Sequence, residues 1–174
     1  MQEKQFILGV LVSNKAGVLT RISSLFSRRN YNIDSLNVAA TENPALSRMT
    51  IIAQGDDGVR EQVVKQLRKL YDVKKVEVLE PDNTVLREHL LIKLKVTKST
   101  RSEIVESVNI FRGKVVDFNI DSVTVEITGE SSKLDAFIKF AADYGIIEMC
   151  RAGALAVRRG GVSLYDDEDS AEIL

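Results

Sequence analysis

Pro81 does most to limit what this chain can fold into. It stands in the polar stretch Glu80-Pro81-Asp82-Asn83, and a ring without an amide donor cannot continue a central ladder there. Before and after this break the chain carries the same order of periodicities: strand, helix, strand, strand, helix, strand. Each half therefore predicts a ferredoxin-like βαββαβ unit, giving an α+β protein of two such domains. The expected division is 1–79, a linker at 80–86, a second domain at 87–159, and a mobile acidic tail at 160–174.

The first half opens with Phe6, Leu8, Val10 and Val12 alternating with Ile7, Gly9, Leu11 and Ser13. Apolar groups on both faces mean that the strand needs two covers. The domain's own helices supply one; a partner chain or another domain is expected to supply the other. Val18, Leu19, Ile22, Leu25 and Phe26 then recur at helical spacing, leaving Arg21, Arg28 and Arg29 outside. Strands follow around Leu36–Ala40 and Ser47–Gln54, joined by the turn Glu42-Asn43-Pro44. Gly55-Asp56-Asp57-Gly58 ends the third strand and caps a helix over 59–71, and residues 73–79 form a fourth strand.

In the second half, Leu90, Ile92, Leu94 and Val96 alternate with Leu91, Lys93, Lys95 and Thr97, a strand with a more polar outer face. Thr100 and Glu103 have capping-box spacing ahead of a helix that Gly113 ends. Two short strands, Val115–Phe118 and Val123–Ile127, precede a helix over 132–144, stopped at Gly145. Ile146 to Val157 reads as a last strand, with Gly153 the point where it can break. The run Asp166 to Asp169 belongs to the expected tail.

The stretch with binding chemistry is Ser13-Asn14-Lys15-Ala16-Gly17, between the first strand and the first helix. Asn14 can cap the helix or offer its amide to a ligand. Gly17 lets a ligand approach the backbone. The first amides of a helix are unpaired and carry the positive end of its dipole, which suits a carboxylate or a phosphate. Taken alone, the same residues also read as a plain capped helix start.

Catalytic classes find little support. With His89 the only histidine, Cys150 the only cysteine and no tryptophan, a metal cluster or a Ser–His machine is hard to assemble. Cys150 is expected as a packed thiol and His89 as a surface residue. The chain contains no GxxxxGK[ST] and no GxGxxG, and the loop at 55–58 lacks the spacing of an EF-hand. A net charge of −1 gives no electrostatic footprint for nucleic acid or lipid. Ile7, Gly9, Leu11, Thr50 and Ile52 stand where an RNA-binding βαββαβ domain carries its stacking aromatics. No apolar run approaches a membrane span, Met1-Gln2-Glu3-Lys4 does not open a signal peptide, and a single cysteine fits a reducing cytoplasm.

Six segments in order carry a specific resemblance: SNKAGVLTRISSLFSRRNYNIDSL at 13–36, LSRMTI at 46–51, KQLRKLYDVKKV at 65–76, REHLLIKL at 87–94, IFRGKVVD at 110–117 and GESSKLDAFI at 129–138. Together they resemble the small regulatory subunits of acetolactate (acetohydroxyacid) synthase. The resemblance implies that residues 1–79 are an ACT domain that pairs with a second copy to form a homodimer with effector sites at the interface. It implies no catalytic site in this chain. It implies as partner a catalytic subunit holding thiamin diphosphate, Mg and FAD, which the small subunit would activate and make sensitive to valine or a related branched-chain amino acid.

Carried over residue by residue, the effector motif falls on Asn14 for the amino acid's polar end and on the amides of Gly17 and Val18 for its carboxylate. Ala16 and Leu19 complete the wall. Asn32 and Ile33 approach from the paired subunit. Lys15 departs from the acidic or glutamine-like residue usual at that position. The alternative expectation is a free-standing ACT-domain amino-acid sensor acting on a different enzyme or a transcription factor.

Overall fold

The computed structural model describes residues 4–164. They form two compact units: one is Leu86–Gly153, and the other joins the residues up to Val85 with those from Ala154 onward.

In the first unit, β1 (Lys4–Ser13), α1 (Val18–Arg28), β2 (Ile33–Ala40), β3 (Leu46–Gly55), α2 (Asp57–Leu67) and β4 (Val73–Val78) follow the expected order. The sheet runs β2-β3-β1-β4, every neighbouring pair antiparallel, with β1 and β3 central. Phe6, Leu8, Val10 and Val12 of β1 pack with Met49, Ile51 and Ala53 of β3 against Val18, Ile22, Leu25 and Phe26 of α1 and Val63 and Leu67 of α2. Burying each large side chain contributes roughly 1.5–3 kcal/mol, so this face holds the helices down. Asp56 caps α2 as expected, its Oδ1 accepting from the Val59 amide at 2.8 Å.

The other face of β1 is buried as well, with Ile7 and Leu11 both below a tenth exposed. Its cover is Leu79, beside Gly9, together with the returning end of the chain. After Gly153 the backbone rejoins this unit through β9 (Leu155–Arg158), and Leu164 packs with Leu11 and Leu46. Residues 154–158, expected in the second domain, therefore belong with the first unit. Leu164, expected in a mobile tail, is buried, while Asp166 to Asp169 lie outside the described residues.

The second unit contains most of β5 (Thr84–Lys95), then α3 (Arg101–Ile110), β6 (Lys114–Phe118), β7 (Ser122–Gly129), α4 (Ser131–Ala141) and β8 (Ile146–Arg151). Its sheet repeats the order of the first, β6-β7-β5-β8. Leu90, Ile92 and Leu94 of β5, with Val123, Val125 and Ile127 of β7, meet Ile104, Val108, Leu134 and Phe137 of the helices.

Two expectations fail here for local reasons. Thr100 precedes α3 without capping it; its Oγ1 accepts from the Thr97 amide at 3.0 Å, because the hydroxyl-rich stretch Thr97–Thr100 closes on itself. Cys150 is exposed, not packed. It pairs with Leu91 across β5 and β8, on the face opposite Ile92 and away from the helices, and β8 is an edge strand.

One polar cluster ties this unit together. Glu88 is 8% exposed and accepts from Arg151 Nε at 2.5 Å and from the Ser131 hydroxyl, while Arg151 Nη1 reaches Asp135 at 2.6 Å. Partial burial disfavours the charged guanidinium, but the hydrogen bonds to Glu88 and Asp135 outweigh it and hold the Arg151 pKa above its ordinary value. Truncating the arginine strands a buried carboxylate. Arg151→Met is expected to lower stability by about 3 kcal/mol, read from urea unfolding.

At the end of α4, the Glu103 carboxylate beside the Tyr144 hydroxyl, with a smaller contribution from burial, pushes the phenol from 10.0 up to about 12. The folded state then holds a proton that the unfolded state has released. Stability from this contact is complete below pH 10 and is lost as pH rises towards 12. Unfolding midpoints measured across that interval should fall less steeply for Tyr144→Phe than for the unaltered chain.

Candidate functional site: a groove beside the first helix

The turn after β1 is pinned on two sides. The Ser13 amide donates to Asp72 O at 2.8 Å, and the Asn14 amide donates to Ala45 O at 2.7 Å. Asn14 Nδ2 donates to Pro44 O at 2.9 Å. Asn14 is therefore fixed against the β2–β3 turn and does not cap α1. The N-cap is Gly17, at φ 83° in the left-handed region, with no side-chain cap bond. That conformation is why glycine stands here: a Cβ would meet only Arg21 Nη1 at 3.9 Å, so the constraint lies in the backbone.

The Arg21 amide donates to Gly17 O at 3.0 Å, whereas the amides of Leu19 and Thr20 find no backbone acceptor among the described residues. Arg21 also reaches Asp72 at 2.6 Å, holding the start of the helix against the loop before β4.

Beside these amides lies a groove of about 290 Å³, at the small end of the roughly 300–1,000 Å³ usual for ligand pockets. Ser13, Asn14, Lys15 and Ser47 are its polar lining, and Val12, Val18, Leu19, Val38, Ala39, Ala40 and Met49 its apolar lining. Leu19 and Val38 are each about two-fifths exposed, which is unusual for apolar side chains lining a cleft unless something else covers them. Of the residues expected from sequence, Asn14, Val18 and Leu19 line the groove, and Ala16 and Gly17 stand in the turn at its rim.

Asn32 and Ile33 do not meet them. They lie beyond the far end of α1, about 16 Å away along the 11-residue helix, and line a separate depression with Phe26, Asn30 and Tyr31. Asn32 Nδ2 donates to Asp34 Oδ1 at 2.8 Å, and Asp34 also accepts from Gln54 Nε2 at 2.8 Å.

The sequence reading missed the wall opposite α1, formed by Val38, Ala40, Ser47 and Met49. Its signal was the alternation in β2 and β3. Only the register, which sets Val12 opposite Ser47, Val38 opposite Met49 and Ala40 opposite Ser47, brings those side chains to the turn. Lys15, the departure from the motif, adds a positive charge at the polar end of the groove. Free helix amides, a lysine and an asparagine at one end, with small aliphatic groups at the other, suit a small molecule with a carboxylate head and an apolar side chain.

Comparison with known proteins assigns a family to both halves of the chain. Residues 8–75 match the family described as the AHAS small subunit-like ACT domain, and residues 87–160 match the small subunit of acetolactate synthase. This chain belongs to the acetolactate synthase small-subunit family.

It is 48% identical over 161 residues to the probable acetolactate synthase small subunit of Methanothermobacter thermautotrophicus, covering 92% of this chain and 96% of that one. It is 50% identical over 153 residues to the acetolactate synthase small subunit of Mycolicibacterium smegmatis, covering 88% and 90%. The crystal structure of the acetolactate synthase small subunit from Thermotoga maritima superposes with a TM-score of 0.86 at 40% identity, covering 91% of this chain and 99% of that one. Both ferredoxin-like units, with the ACT domain at the N-terminus, are therefore the architecture of this small-subunit family.

The left-handed turn gives a direct test of the site's scaffold. Gly17→Ala has room for its methyl group but not the backbone preference, and should cost about 1–2 kcal/mol in thermal unfolding without loss of fold.

Proposed function

We propose that this member of the family is the regulatory subunit of an acetolactate synthase acting in branched-chain amino acid synthesis. It binds valine or a related branched-chain amino acid in the groove at the start of α1, activates a separate catalytic subunit, and makes that subunit sensitive to the bound amino acid. The chain supplies no catalytic group of its own on this reading. Thiamin diphosphate, Mg and FAD belong to the catalytic partner.

The observation that carries the proposal is the groove's incompleteness. Its polar end offers unpaired amides and Lys15, its apolar wall is half exposed at Leu19 and Val38, and it opens beside β2, which is an edge strand. An unpaired edge is a template for another strand. Pairing the β2 edges of two copies about a two-fold axis would continue the sheet and set two α1 helices side by side, running in opposite directions. Asn32 and Ile33 of one copy would then stand opposite Asn14 and Gly17 of the other, so the separation of about 16 Å within one chain is what a shared site requires.

Regulation follows from affinity. A bound amino acid shifts the assembly between two activity states only as far as it binds them differently. The carboxylate and ammonium contacts are common to valine, leucine and isoleucine. Choice among them falls to Leu19, Val38 and Met49, where a methylene is worth about 1–3 kcal/mol.

Reconstitution tests the reading. The purified chain alone should form no acetolactate, should raise turnover when added to a catalytic subunit, and should make that turnover fall with millimolar valine. Gly17→Asp should keep the activation and lose the valine response, since it sets a like charge against the ligand's carboxylate. A valine-insensitive complex, or a chain that captures some other enzyme or a transcription factor from extract and not the thiamin enzyme, would overturn the assignment.

A further inference from the structure

The outer face of the first unit's sheet, opposite the groove, is closed by residues 154–164, and their attachment is specific. The Ala154 amide donates to Ser35 Oγ on β2 at 3.0 Å. Arg48 Nη2 on β3 donates to Ala156 O at 2.7 Å. Arg158 Nη1 pairs with Glu77 Oε1 on β4 at 2.6 Å, and the Arg159 amide donates to Asn83 O at 2.8 Å. The segment thus has polar anchors on β2, β3 and β4. Over β1, Gly9 leaves room for Leu79 and for the Arg48 side chain that reaches the segment: a Cβ there would meet Leu79 Cδ1 at 3.3 Å and Arg48 Nη2 at 3.7 Å. Ala154 and Ala156 are 0% and 2% exposed, and Leu164 closes the end over Leu11 and Leu46.

The placement of these anchors relates them to the groove. Side chains alternate between the faces of a strand, so the neighbours of groove residues belong to the opposite face. Arg48 lies between Ser47 and Met49, Leu46 adjoins Ser47, and Leu11 adjoins Val12. Ser35 lies on β2 between Ile33 and Val38. The strands that line the groove on one side hold the strap on the other, through adjacent residues at Leu11, Leu46 and Arg48 and through the same strand at Ser35.

The strap is also the direct continuation of the second unit, which ends at Gly153. We propose that residues 154–164 are a strap whose docking on the sheet is coupled to occupancy of the groove, and that they carry the effector's state along the chain to the second unit. This rests on the effector reading above and adds the element that transmits it. Coupling of this kind is reciprocal: if ligand tightens the strap by some factor, loosening the strap weakens the ligand by the same factor.

The test uses the full-length chain with valine as the probe, binding followed by calorimetry and amide exchange by NMR. Saturating valine is expected to slow exchange of the Ala154 and Arg159 amides at least threefold. Ser35→Ala with Arg48→Gln is expected to weaken valine binding at least threefold, while exchange in β1 and α1 stays as slow as in the unaltered chain. Glu77→Gln, a milder change at the other end of the strap, should act in the same direction and covers the case where the double variant does not fold. Normal valine heats with strap exchange unchanged by ligand, and an unchanged Kd in the variants, would overturn the strap while leaving the effector reading in place. An unaltered chain that gives no heat with valine, leucine or isoleucine would overturn the effector reading and the strap together.

Discussion

A β-sheet that is apolar on both sides cannot stand with a single cover, and that requirement organises the first unit. Phe6, Leu8, Val10 and Val12 bury one side of β1 under α1 and α2, while Ile7 and Leu11 are buried on the other, Leu11 against Leu164 of the returning end. Each arrangement depends on the other, because the same strands carry both sets of side chains and a register slip of one residue would exchange them. Gly9 lets Leu79 lie close against the strand on this outer face, since a Cβ there would meet Leu79 Cδ1 at 3.3 Å. The polar anchors at Ser35, Arg48 and Glu77 then fix where on the apolar face the cover sits.

The groove is built on the first of these faces and inherits its rigidity from it. Val12 and Met49 are fully buried members of the core that also line the cleft, so its base is core packing and not a loop. The adjustable part is the rim. There a left-handed glycine ends the turn, an asparagine is fixed to the neighbouring hairpin, and unpaired amides face whatever binds. A cleft with a fixed base and a half-exposed apolar rim beside an unpaired strand gains most from a ligand when a second copy closes over it. On the proposed reading, occupancy and assembly are parts of one equilibrium.

Much of this was legible in the sequence, because the signals were local. The alternation in residues 6–13 announced a doubly buried strand, Asp56 announced the start of α2, and Pro81 announced the repeat of the fold. The identity of the second cover was not legible. Ala154, Ala156 and Leu164 are too few and too small to mark a docking segment, and they lie far along the chain from the strand they cover. Asn14 lines the groove but does not cap the helix, and nothing local reveals that the Pro44 carbonyl already holds its amide. Cys150 was misjudged because strand edges are set by sheet order, which a periodicity does not report. The wall formed by Val38 and Met49 depends on cross-strand register for the same reason.

The split composition of the first unit has a consequence for how the protein is made. Residues up to Val85 emerge from the ribosome first, yet their sheet lacks its outer cover until Ala154 and Leu164 have been synthesised. At roughly 5–20 residues per second, that leaves the part of the outer face around Leu11 and Leu46 waiting for about 4–16 s. The domain that starts first closes last, and during that interval Leu11 and Leu46 lack the Leu164 side chain that buries them in the finished protein.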